Sequence, residues 1–271
     1  MTTDQPHPLP HLPELRTAHF FGRDLRYYDI GSGPPLLLIH GIGGDADEWA
    51  FCFGALAATH RVVALDLLGF GRSDKPAIEY GIAVFVEVLD HFLRALNIPR
   101  ASLIGSSLGG WIAAAFALRF PQRVDKLVLV STAGVWAGPT DLPFDLHVST
   151  HAHMRYVMER VFYNKSLATN EIVDLAYRQH LERGDGYTID RLLHNLRDGR
   201  ERLDDSIGRL TMPVLVIWGE QDELIPVENA RRIHELVPGS KLEIIPQCGH
   251  LPALERPEEF VRLVTDFLRQ S

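Results

Sequence analysis

The chain has little cysteine: Cys52 and Cys248 are the only two in 271 residues. That is too few for a disulfide framework, so a packed core must hold the fold, and buried free thiols are the expected state of both. No uninterrupted apolar run approaches about 18 residues, so no membrane-spanning helix is expected. The first stretch carries Pro6, Pro8, Pro10 and Pro13 but neither a basic start nor an apolar segment. It reads as an extended tail over residues 1–16, not as a secretory signal, and a cytoplasmic protein is expected. An excess of positive charge is also missing. The formal net charge is -8 with no basic block, which argues against nucleic acid or an anionic membrane as partner.

What is present is alternation. Leu36 to Ile39, Arg61 to Leu65, Ala101 to Gly105, Lys126 to Val130 and Met212 to Trp218 are short apolar runs, the signature of strands buried on both faces. Helical patterns separate them, over Asp45 to Ala58, Ile82 to Leu96 and the alanine-rich stretch after Ser107. A strand at Lys241 to Ile245 lies between helices near Val227 to Leu236 and Pro257 to Leu268, and a hairpin is expected over Thr17 to Ile30. The rhythm predicts a mostly parallel, eight-stranded sheet with helices on both faces. It breaks over 134–209, where helical patterns at Met154 to Tyr163, Glu171 to Leu181 and Tyr187 to Leu196 follow one another without a strand. That segment reads as an inserted helical cap on a core made of 17–133 and 210–271.

Chemistry concentrates where strands end. Gly105-Ser106-Ser107-Leu108-Gly109 is a G-x-S-x-G pentapeptide between an apolar strand and a helix, the context of a nucleophile elbow. Glycines two residues either side let strand and helix approach, and they single out Ser107 over Ser106. No Gly-Lys-Ser/Thr follows this turn, so it does not cradle phosphate. Asp222 lies just after the strand ending at Trp218, and His250 after the one ending at Ile245. In a parallel sheet such loops converge at one edge. A serine hydroxyl needs a base to attack a carbonyl, and histidine supplies one; a carboxylate then fixes the imidazole tautomer.

With these motifs, His40-Gly41, Asp66-x-x-Gly69-x-Gly71-x-Ser73 and Gly249-His250, nearly the whole chain from Thr17 onward resembles the α/β-hydrolase fold superfamily, specifically its capped serine hydrolases. The resemblance implies Ser107 as nucleophile, His250 as base, Asp222 as its partner, and the NH groups of Ile42 and Leu108 as the oxyanion hole. His40 is expected to brace its glycine turn. Glu220 and Glu223 are the rival acids, Glu223 the nearer. His147, His151 and His153 suggest a solvated surface in place of a metal site, and neither metal nor cofactor is expected. Trp136, Phe144, Met154, Met158, Phe162 and Leu251 are candidate pocket residues.

The resemblance implies a carboxylic-ester hydrolase with a small-molecule acyl substrate, acting as a monomer or homodimer, its activity rising with pH around an apparent pKa of about 6 to 7. A second possibility is hydrolysis of a carbon–carbon bond in the dienoic products of aromatic ring cleavage, with Arg155, Arg160 or Arg191 available for an acid. Such enzymes usually carry Trp after the catalytic histidine, where this chain has Leu251. A triad-retaining small-molecule receptor is a third. Epoxide hydrolases and haloalkane dehalogenases place Asp at the elbow, and Ser107 argues against both.

Overall fold

The structure, a computed structural model, describes residues 11–137, 146 and 148–270. The sheet begins with a hairpin, β1 (Arg16–Phe20) and β2 (Arg23–Ile30), paired antiparallel. Leu12 and Leu15, inside the expected tail, pack beneath it against a core cluster; residues 1–10 of that tail lie outside the described residues. β3 (Pro35–Ile39), β4 (Arg61–Leu65), β5 (Ala101–Ser106), β6 (Val124–Val130), β7 (Val214–Gly219) and β8 (Lys241–Ile245) complete an eight-stranded sheet. Its order is β1-β2-β4-β3-β5-β6-β7-β8, parallel from β4 onward.

Because side chains alternate along a strand, each central strand feeds two cores. Leu37, Ile39, Leu103, Leu127 and Val216 pack on one face, against α2 (Ile82–Ala95), α3 (Leu108–Arg119) and α7 (Glu228–Leu236). Leu36, Leu38, Ile104, Val128 and Ile217 pack on the other, with Trp49, α1 (Phe53–Ala57), α8 (Pro252–Glu255) and α9 (Pro257–Arg269). The helix expected over Asp45 to Ala58 is instead a 3-10 turn at Ala46–Trp49 followed by the short α1. Asp66 and Asp45 take the NH groups of Ala46 and Asp47, and full burial of Trp49 draws the chain inward before a longer helix can form.

Between β6 and β7 stand α4 (His151–Val161), α5 (Asn170–Arg183) and α6 (Gly186–Leu196). Thr150 and Thr169 cap the first two, each accepting an NH of the opening turn. Polar ties hold this insert to the sheet domain. Arg183 pairs with Asp45, Arg191 with Glu79 at 2.8 Å, and Glu201 caps α2 by accepting the NH groups of Ile82 and Ala83 at 2.9 and 2.8 Å. Among the described residues no helix is long and apolar enough to cross a membrane.

Candidate active site

Ser107 sits at the junction of β5 and α3 with φ 53° and ψ -116°, a conformation that side-chain-bearing residues seldom adopt. The turn is held from both sides. Its NH donates to Val130 O at 2.9 Å, and its carbonyl accepts the NH groups of Gly110, Trp111 and Ala133. The flanking glycines are required by contact. A Cβ on Gly105 would lie 2.3 Å from Gly109 O, and one on Gly109 would lie 2.1 Å from Ile39 O.

His250 and Asp222 form the second half. The imidazole Nδ1 donates to Asp222 Oδ2 at 2.7 Å, both side chains being almost fully buried. Asp222 is itself fixed, its Oδ1 accepting the NH groups of Leu224 and Ile225 at 2.9 Å each. Glu223 turns away to pair with Lys165 at 2.8 Å, and exposed Glu220 bonds to Gln221. Since a carboxylate only accepts, Nδ1 carries the proton and Nε2 is the free lone pair. Nε2 is buried and has no hydrogen-bond partner among the described residues, Ser107 included. Nucleophile-to-base bonds are often long in unliganded enzymes and close when substrate binds. Burial pushes the His250 pKa down, but the carboxylates of Asp222, Glu48 and Glu255 outweigh it and leave the pKa above the ordinary imidazole value.

Opposite lies the turn after β3. His40 Nε2 accepts the NH of Leu67 at 2.9 Å, so Nδ1 is the donor and holds Gly41 O at 2.7 Å. Gly44 N donates to the same oxygen. In a trans peptide the C=O and the following N–H point opposite ways, so pinning Gly41 O aims the Ile42 NH. A Cβ on Gly41 would be 3.8 Å from Ser107 Oγ, which shows how closely this turn approaches the hydroxyl. Leu108 opens α3, where the helix leaves its first NH groups unpaired and its dipole positive.

Ile42, Ser107 and Leu108 share the wall of a cavity of about 420 Å³. Trp111, Trp136, Leu192, Leu196, Leu224 and Ile225 make it mainly apolar, with Arg197, Asp198 and Arg202 also on its wall. Of the six pocket candidates, Trp136 lines it. Met154 lines a smaller neighbouring cavity of about 190 Å³ beside Ile42 and Arg183. Met158, Phe162 and Leu251 line neither of these two cavities. Phe162 is buried where its NH returns to Met158 O at the end of α4, and Leu251 directly precedes α8. Phe144 and His147 lie outside the described residues. His151 bonds to Asp174, and Thr150 Oγ1 takes the NH of His153. Both cysteines are free and buried, and burial pushes the Cys52 thiol up to about 12.

Two groups escaped notice in the sequence. The α6 side chains Ile189, Leu192, Leu193 and Leu196 form a stripe at helical spacing, a visible signal of an inward face. Glu255 had no signal. It accepts the NH of Tyr163 at 2.7 Å and of Gly249 at 2.9 Å, joining the end of the insert to the histidine loop, where His250 N also donates to Val161 O at 2.7 Å.

A family model described as the alpha/beta hydrolase fold matches residues 34–197 and 179–257. The chain is 33% identical over 258 residues to a 2-hydroxy-6-oxo-2,4-heptadienoate hydrolase of Pseudomonas putida, covering 91% of this chain and 93% of that one. It is similar in structure to a meta-cleavage product hydrolase of Pseudomonas fluorescens, with 29% identity, a TM-score of 0.83, and 93% and 97% of the two chains covered. An N-acyl homoserine lactone degrading enzyme is likewise similar, with 27% identity, a TM-score of 0.82, and 93% and 100% covered.

Proposed function

Because the chain belongs to the alpha/beta hydrolase fold family and is a hydrolase, we propose that it is a serine esterase, cleaving carboxylic esters through a covalent acyl group on Ser107. The observation that carries this reading is the His250 imidazole. Its Nδ1 is committed to Asp222, while Nε2 is buried with no acceptor or donor of its own among the described residues. Such a lone pair is available to a hydroxyl. In the proposed sequence Ser107 Oγ attacks the ester carbonyl as Nε2 takes its proton, and Asp222 favours the imidazolium that forms. The carbonyl oxygen becomes an oxyanion facing the NH groups of Ile42 and Leu108, donors of a kind worth about 3 kcal/mol of barrier each. His250 then returns the proton to the departing alcohol, and water repeats the cycle on the acyl-enzyme.

In this reading residues 134–209 act as a cap on the core formed by 17–133 and 210–271. The acyl chain occupies the 420 Å³ cavity between Trp111, Trp136 and the α6 leucines. The volume and lining suit a small or medium apolar acyl group.

Carbon–carbon hydrolysis of a dienoic acid is the second reading, favoured by the relatives whose names carry that activity. Its carboxylate would need a cation within reach. Arg155 bonds to Ala168 O and Asn170, Arg160 lies over the Tyr156 ring, Arg191 pairs with Glu79, and none of the three lines the 420 Å³ cavity. Arg197 and Arg202 on the cavity wall are the alternatives, and Arg202 is already paired with Asp204 at 2.8 Å. The test is a panel of p-nitrophenyl esters of graded acyl length beside one coloured dienoate. Steady ester turnover lost in Ser107→Ala supports the esterase. Dienoate decay with poor ester turnover replaces it with the second reading, and stoichiometric fluorophosphonate labelling without turnover of any substrate replaces both with a receptor.

A further inference from the structure

Glu48 has no part in the proton transfers above, yet its carboxyl holds a chain segment that flanks the reacting atoms. Oε2 accepts the NH of Gly41 at 3.1 Å, one residue before Ile42. The Ser106 side chain, one residue before Ser107, helps to hold down the pKa of the same carboxyl. His40, which holds the other end of the Gly41 unit, is equally close: a Cβ on Gly44 would lie 3.3 Å from His40 Nδ1 and 3.5 Å from Glu48 Oε2. The residue's position is fixed by its neighbours, since Ala46 and Trp49 of the same 3-10 turn are fully buried in the core.

A carboxyl withdrawn from water is costly unless donors meet it, and an apolar residue would fill the space at lower cost. Burial accordingly pushes the Glu48 pKa up, while the Gly41 NH and the neighbouring Ser106, His40 and His250 side chains pull it back. The Cys52 thiol, also facing Glu48, is kept neutral by burial and by that carboxyl. What the arrangement gains is a fixed Gly41 peptide, held by Glu48 at its NH and by His40 at its carbonyl, close beside Ser107. We propose that Glu48 is a positioning residue that fixes the turn after β3, so that the Ile42 NH keeps the spacing from the Ser107 hydroxyl that a tetrahedral oxyanion requires. This inference rests on Ser107 being the nucleophile.

The test compares Glu48→Gln with Glu48→Asp in the full chain. Gln keeps the length of the arm and an acceptor for Gly41 but removes the charge. Asp keeps the charge but falls one methylene short. With the best p-nitrophenyl ester, Glu48→Asp loses kcat by about ten- to hundredfold with KM within about twofold, whereas Glu48→Gln stays within about threefold of the parent. The reverse order, or two unchanged variants, overturns the positioning role. An activity-independent readout is the Gly41 amide proton by NMR, which moves upfield in Glu48→Asp and stays near its place in Glu48→Gln; an unmoved signal in Glu48→Asp also overturns the inference. Failure of the unmodified protein to label with a fluorophosphonate overturns the nucleophile assignment. Labelling, together with an Asp variant of unchanged kcat and unmoved Gly41 signal, overturns the Glu48 role alone.

Discussion

Strands β3 to β7 are buried along nearly every residue, whereas α4 buries none of its side chains and α5 only Val173. One part of the molecule is held by close packing on two faces, the other by ion pairs, caps and a single inward stripe on α6. Packing is short-ranged and intolerant of displacement, so loops at the strand ends inherit fixed positions. Partly exposed ion pairs contribute little each and yield more readily. The proposed acid, base and nucleophile all sit on the rigid part, and half the wall of the cavity belongs to the softer one. In the proposed mechanism, chemistry and substrate preference are therefore carried by regions that differ in how they are built.

Four experiments break or sharpen that contrast. Ser107→Ala has the largest expected effect: kcat/KM for an ester falls by at least about 10⁴-fold, while thermal unfolding is unchanged, because the alanine leaves every backbone bond of the turn in place. Gly109→Ala comes next. Its methyl would lie 2.1 Å from Ile39 O, and denaturant unfolding should show a loss of about 3 kcal/mol or more. A variant as stable as the parent would show the strand ends to be softer than described. Leu196→Ala, on the α6 stripe, tests the insert; the ratio of kcat/KM between hexanoyl and acetyl esters should shift by about three- to tenfold, with little change in melting. An unaltered ratio would remove α6 from the acyl site. The smallest effect is on pH dependence. His250 must lose its proton to act as base, and its pKa is raised, so the rising limb of kcat/KM against pH should lie above the imidazole value of 6.5. A midpoint at or below that value would contradict the three carboxylates placed around it. This also revises the range of about 6 to 7 expected from the sequence.

The sheet was legible because its signals are local. A run such as Val214 to Trp218 can be buried on both faces or aggregate, and little else. The strained turn at Ser107 was legible because Gly105 and Gly109 record a contact that only glycine allows, so the geometry is written beside the residue it shapes. The choice of Asp222 over Glu223 was less so; it depends on the NH groups of Leu224 and Ile225 capturing one carboxylate and on Lys165, from the insert, drawing off the other. Pocket residues were the hardest to read. Met158 and Phe162 have the right composition, but which side of α4 faces a cavity depends on how the insert lies on the sheet, and no residue pattern encodes that. Glu48 and Glu255 were invisible for a related reason. A lone acidic residue in a sequence gives no hint of the backbone NH groups that will surround it.

The bond from His250 N to Val161 O sets a condition on how the site admits its substrate. Lifting the C-terminal end of α4 away from the sheet would pull on the peptide that carries the imidazole, and the Glu255 carboxyl would lose Tyr163 in the same motion. Traffic through that side would disarm the base each time the site opened. On the proposed mechanism, a route past Arg197, Asp198 and Gly199, which line the cavity where the chain leaves α6, would spare those bonds. A molecule too long for the cavity would therefore protrude there, and bulk added at those three positions should slow its passage more than its cleavage.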